Sequence, residues 1–142
     1  MPGAKLFLGH EVTNILFGAL VGAVFLLIAR ARGWRGELAL YATGLVVAAL
    51  IYVSFALFRS GLTHLTLEAA GLVGYSLAAA AGLRRWPALL GSAWIAHGAW
   101  DLFVPAHAQA YVPAWYPAWC DGLDWLVGAY IVVKSRSLRQ VG

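Results

Sequence analysis

Apolar stretches long enough to cross a bilayer take up most of this 142-residue chain, and charged residues mark the gaps between them. A membrane helix needs about 20 mostly apolar residues. Five segments approach or meet that length: about 6–29, 38–58, 62–83, 87–104 and 118–133. A segment in lipid must satisfy its own backbone hydrogen bonds, which leaves the helix as its conformation. The reading is therefore all-α: a five-helix transmembrane bundle, forming a single integral membrane domain over residues 1–142.

The breaks between the segments support this division. The first segment stops at Arg30-Ala31-Arg32-Gly33, the second at Arg59-Ser60-Gly61 and the third at Arg84-Arg85-Trp86. Pro87 suits the first turn of a fourth helix, where its missing N–H costs little. Pro105, Pro113 and Pro117 oppose a continuous helix over about 105–119. Tyr111, Trp115, Tyr116 and Trp119 in that stretch suit the headgroup layer, so it reads as an interfacial loop. The fifth helix is expected to be short and to carry Asp121 and Asp124 in its first turn, where the helix dipole favours them. The N-terminal apolar stretch contains His10 and Glu11, and its positive cluster follows it. It is expected to stay as a helix and not to be cleaved as a signal peptide.

Composition agrees. The chain is 62% hydrophobic and 11% charged, against roughly 25% charged for a soluble domain. Its net charge of +4 does not point to nucleic acid, because the basic residues sit in short clusters at helix ends, as topology determinants do. Contact with anionic headgroups follows from the same placement. A single cysteine, Cys120, excludes an intramolecular disulfide.

Five crossings put the termini on opposite sides. Arg30, Arg32, Arg35, Arg84, Arg85, Lys134, Arg136 and Arg139 fall at one face, and only Lys5 and Arg59 at the other. The positive-inside rule then places the C-terminus in the cytoplasm and the N-terminus outside, in a multi-pass protein of a bacterial inner membrane.

The opposite gradient belongs to the other titratable groups. All four histidines (His10, His64, His97, His107) and five of the six acids (Glu11, Glu68, Asp101, Asp121, Asp124) fall in the half with few basic residues. Ionisable groups inside lipid are expensive and mark a site by default. Asn14, Tyr52, Ser54 and Trp100 fall at similar depth. Two pairs, His64/Glu68 and His97/Asp101, share a four-residue spacing that puts both partners on one helix face. A carboxylate so placed can hold an imidazole and raise its basicity, as a general base or a metal ligand requires. The plainer account is a hydrogen bond that makes a polar pair tolerable in lipid.

So many carboxylates in a low dielectric must share protons or be neutralised by a cation. A divalent metal held by carboxylates and imidazoles is one outcome. The sequence has no HExxH, because Val12, Thr13 and Asn14 follow His10-Glu11. Proton chemistry is the other outcome, on lipid-derived molecules that enter from the bilayer. Trp94, Trp100, Trp119 and Trp125 suit either a belt at the outer interface or stabilisation of a cationic intermediate. Cys120 reads as a small buried apolar side chain, with a nucleophilic role the lesser alternative. His107 reads as an interfacial histidine, and Glu37 as a surface charge partner of the arginines. Gly18/Gly22 form a GxxxG, and Gly71, Gly74, Ala78 and Gly82 line one side of the third helix. Such stripes serve bundle packing or, at Gly18/Gly22, self-association into a homo-oligomer.

The segments His97-Gly98-Ala99-Trp100-Asp101, Trp115-Tyr116-Pro117-Ala118-Trp119-Cys120 and Asp121-Gly122-Leu123-Asp124 resemble an uncharacterised bacterial family of small multi-pass membrane proteins. In that family an H-x-x-W-D segment precedes a W-Y-P-x-x-C segment and an aspartate-bearing last helix. The resemblance covers the last third of the chain. It implies a fold type and candidate positions, and no activity. The arrangement also resembles membrane hydrolases of the ceramidase and adiponectin-receptor kind. Their D-x-x-x-H-x-x-x-H segment is missing here, so their zinc site is not carried over.

The functional expectation is a small membrane enzyme acting on a lipid or isoprenoid-like molecule at the outer leaflet. Glu11, Glu68 and Asp101 would be proton donors or metal ligands, and His97 a base or ligand held by Asp101. Asp121 and Asp124 would complete the site, with Asn14, Tyr52, His64, Trp100 and Trp119 around the substrate. One alternative is a non-catalytic or cofactor-binding subunit of a larger membrane complex. Another is a proton- or cation-coupled transporter, which would need polar residues to continue inward beyond Thr43, Tyr75 and Ser76.

Overall fold

A computed structural model describes residues 2–103 and 111–141, and the side chains of residues 11–100 and 111–140. His10, Asp101 and His107 have side chains outside the described residues. Among the described residues there are five helices and no strand: α1 (Pro2–Arg30), α2 (Gly33–Arg59), α3 (Leu62–Arg84), α4 (Pro87–Phe103) and α5 (Tyr116–Val141). Three of them, α1, α2 and α3, are long and apolar enough to cross a membrane.

The helix ends follow from the sequence. Gly33 begins α2 with φ of 68°, a backbone region that glycine enters without steric cost. It lets α2 start one turn earlier than hydropathy indicates. The Arg85 and Trp86 N–H groups both donate to the Ala81 carbonyl (2.9 and 3.1 Å) and close α3. Pro87 opens α4, as expected.

The fifth helix corrects the sequence reading at both ends. It begins at Tyr116, with Pro117 in its first turn, and it runs on through Lys134, Arg136 and Arg139. Asp121 and Asp124 therefore lie past the first turn, and the helix dipole does not account for them. Nor is the aromatic stretch purely interfacial. Tyr111, Val112 and Tyr116 are buried, whereas Trp115 is exposed.

Between helices in lipid there is no hydrophobic drive, so close van der Waals packing must hold them. Glycines supply it. Gly18 and Gly22 of α1 lie directly against the backbone of α5 at Trp119 and Leu123, and Gly122 of α5 returns the contact at Ile15. The GxxxG face is thus occupied inside the chain. Gly91 and Gly128 meet each other where α4 crosses α5. On α3 only Gly82 makes such a contact, on Leu90, while Gly74 faces open space. The expected small-residue stripe of α3 is not a packing seam along its length.

Two clusters fill the interior. One, toward the end where α1 stops and α2 starts, contains Leu26, Tyr41, Leu45, Leu90, Trp94 and Ile131. Trp94 belongs to this core and not to an interfacial belt: it is buried, and its Nε1–H donates to the Tyr41 carbonyl at 3.1 Å. The other cluster contains Tyr52, Ala56, Tyr111, Val112, Tyr116 and Cys120. Outward faces carry large apolar residues such as Leu16, Leu20, Leu27, Phe58 and Leu77. A surface of that kind in water would be an aggregation hazard, and in a bilayer it is the ordinary lipid contact.

Candidate functional site

His97 sits on α4 and Asp124 on α5, and both are buried. Two glycine contacts bring their helices together. Gly91 meets Gly128, and a Cβ at Gly98 would lie only 2.9 Å from the Asp124 Cβ and the Trp125 ring. With both backbones that close, the His97 Nδ1 and Asp124 Oδ2 atoms come to 2.7 Å. The Cys120 thiol, one turn before Asp124 on α5, donates to the same oxygen at 3.4 Å. Asp124 is 0% exposed. Among the described residues its other oxygen, Oδ1, has no hydrogen-bond partner.

Aromatic rings enclose the imidazole. Tyr52 of α2 meets His97 edge to face at 5.4 Å between ring centres, and Tyr75 of α3 does so at 5.0 Å. Four helices therefore contribute to one centre. A ligand atom from each of His97, Cys120 and Asp124 lies within 4.8 Å of the other two. Imidazole, thiolate and carboxylate together suit zinc and related transition metals.

A second polar contact borders the same aromatic cluster. The Tyr111 hydroxyl donates to Glu68 of α3 in a buried hydrogen bond. The His64 ring lies 5.2 Å from the Tyr111 ring. Tyr111 thus touches both members of the His64/Glu68 pair that the spacing brought out. Asp121 is buried one turn along α5, Glu11 and Asn14 are half-buried on α1, and Trp100 and Trp119 are half-buried.

Sequence reasoning expected His97 to be held by Asp101. The carboxylate on its Nδ1 is Asp124, and the Asp101 side chain lies outside the described residues. The structure adds Cys120, Tyr75 and Tyr111 to the residues that the sequence points to. The four-residue step from Cys120 to Asp124 was readable as one helix face. Nothing local points Tyr111 at Glu68.

Glu37 differs from expectation in a further way. It is 2% exposed and not a surface charge. Lys134 pairs with it at 2.5 Å, and the Tyr41 and Tyr130 hydroxyls donate to it at 3.2 and 2.9 Å. The early start of α2 and the long tail of α5 produce this contact, which ties the two helices at the basic end. Lys134 also stands 4.9 Å from the centre of the Trp34 ring, within the range of cation–π attraction.

Compared with known proteins, the chain matches no family model, no curated protein and no solved structure.

Proposed function

We propose that the protein is a five-span membrane enzyme in which His97 and Asp124 form an acid/base centre acting on a lipid or isoprenoid-like molecule. The observation that carries this reading is the burial of the couple. A carboxylate with no exposure, and with one oxygen lacking a partner among the described residues, is a costly thing to keep. A chain that needed only to join α4 to α5 could use apolar side chains, which often hold a core as well or better.

The roles follow from the geometry. Asp124 accepts the Nδ1–H of His97, which fixes the tautomer and leaves Nε2 to take or give a proton. The T-shaped contacts with Tyr52 and Tyr75 hold the ring's orientation and limit water around it. Glu68, with the Tyr111 hydroxyl on it, is a second group able to carry a proton. The Cys120 thiol donates to the carboxylate of Asp124, so this reading gives it a supporting place beside the couple and leaves proton transfer to His97. The apolar surroundings favour an apolar substrate arriving from the bilayer. The eight-to-two split of basic residues supports an extracytoplasmic N-terminus and a cytoplasmic C-terminus.

Cys120 supports a second reading, in which His97, Cys120 and Asp124 hold a divalent transition metal. The thiol would have to lose its proton and the His97–Asp124 hydrogen bond would open to admit the ion. Metal analysis of the purified protein and of His97→Ala separates the two readings. A stoichiometric ion lost in the variant supports the metal site, and no ion in either leaves the acid/base reading.

The functional test is lipid turnover. Wild-type protein and His97→Gln are placed in nanodiscs with a bacterial polar lipid extract and added isoprenoid alcohols, and lipids are followed by mass spectrometry. The expected result is a species consumed by the wild type and spared by the variant. Identical lipid profiles would favour a non-catalytic subunit of a larger membrane complex.

A further inference from the structure

The arginines at the basic end frame a cleft that the chemistry around His97 does not use. Its volume is about 460 Å³, within the usual range for ligand pockets. Arg35 comes from the first turn of α2, and Arg84 and Arg85 from the end of α3. Trp34, Leu38 and Leu83 supply apolar wall. Among the described residues no acidic one lines it. The nearest carboxylate in sequence, Glu37, is already paired with Lys134. Among the described residues none of the three arginines forms an ion pair.

A second cavity, of about 320 Å³, lies beside the first. The two share Leu83. From there the second runs along the seam between α2 and α3, past Ala80, Ala79 and Ser76 on one side and Ala42 and Val46 on the other. These are successive helical turns leading away from the basic end. Small side chains make the groove. Its polar Thr43 is satisfied internally, donating to the Ala39 carbonyl at 2.9 Å. Three guanidiniums without an ion pair among the described residues, and an apolar groove beside them, form an amphiphilic site.

We propose that this site binds an anionic phospholipid, with its phosphate at Arg35, Arg84 and Arg85 and one acyl chain in the α2–α3 groove. Guanidinium groups match phosphate oxygens in a two-pronged geometry. Basic pockets between membrane helices are suited to anionic headgroups. A free phosphate or soluble phosphate ester would use the arginines alone. A lipid would use the groove as well, and the adjacency of the two cavities across Leu83 favours the lipid. The site does not depend on what His97 does.

The test uses the full chain purified in detergent and native mass spectrometry with three probes: phosphatidylglycerol, phosphatidylcholine and inorganic phosphate. The variants are Arg84→Gln/Arg85→Gln and, separately, Ala80→Trp, an exposed residue of the groove. Helical content by circular dichroism confirms that each is folded. The expected result is phosphatidylglycerol binding at least tenfold tighter than phosphatidylcholine. The double arginine variant should lose that preference, and Ala80→Trp should weaken lipid binding several-fold. Equal binding of the two lipids, or a preference that survives loss of both arginines, would overturn the proposal. So would inorganic phosphate displacing the lipid fully while Ala80→Trp has no effect, which would assign the cleft to a free anion.

Discussion

His97 and Asp124 are 27 residues apart in the chain and 2.7 Å apart in space, and their contact joins α4 to α5 inside the bundle. A buried couple of this kind has an asymmetric energetic signature. Removing one partner strands the other, while removing both need not harm the fold.

His97→Leu is therefore expected to destabilise by about 3–5 kcal/mol, the range for breaking a buried pair. The double variant His97→Leu/Asp124→Leu should be more stable than His97→Leu alone. Reversible unfolding in mixed micelles measures both. A double variant as unstable as the sum of the singles would mean that the two side chains do not interact.

Gly98 is what lets the couple form. Gly98→Leu should push α4 from α5 and cost about 1–3 kcal/mol, as overpacking does, and it should also abolish any function that needs the His97–Asp124 contact. Gly74 faces open space, so Gly74→Ala should be neutral or slightly stabilising. Thermal unfolding of the pair gives an internal control.

At the basic end the Lys134–Glu37 pair should support stability over a defined pH range. Lys134 follows the apolar part of α5. Burial disfavours its charge, but hydrogen bonds to Glu37 and Tyr130 and the charge of Glu37 outweigh that, so its pKa lies above the ordinary 10.5. A lysine with a raised folded pKa contributes fully below the ordinary value, and its contribution fades as pH climbs through the raised one. Stability of the wild type should fall above about pH 10.5 more steeply than that of Lys134→Met. Parallel pH profiles would remove the ion pair from the account.

Topology can be read by labelling, since Cys120 is buried and is the one native cysteine. With Cys120→Ala as background, Thr63→Cys should react with a membrane-impermeant maleimide from outside. Ser137→Cys should react only after permeabilisation. The reverse pattern would invert the proposed orientation, and labelling of both from one side would contradict an odd number of crossings.

The sequence made the three long apolar helices legible because hydropathy is the property that puts a helix in lipid. It did not show how far the helices extend beyond the apolar core. Residues 134–141 are mostly polar yet helical, because lysine, arginine and glutamine are good helix formers. The same blindness misassigned Glu37, whose burial needs both the early start of α2 and that polar tail. At the site, the sequence made visible which residue types gather in one half of the chain. The local four-residue rule offered Asp101, whose side chain lies outside the described residues, whereas the carboxylate at the His97 Nδ1, Asp124, comes from another helix. Side-chain spacing reports only neighbours along one helix, and glycines such as Gly98 and Gly128 decide which faces of two helices meet.

The central claim is that His97 is held at Nδ1 by Asp124, and histidine NMR tests it most directly. In protein labelled with 15N-histidine in nanodiscs, one imidazole should show a protonated, strongly hydrogen-bonded Nδ1. That signature should vanish in Asp124→Leu and persist in Asp101→Asn. Its survival after loss of Asp124, or its loss in Asp101→Asn alone, would contradict the account.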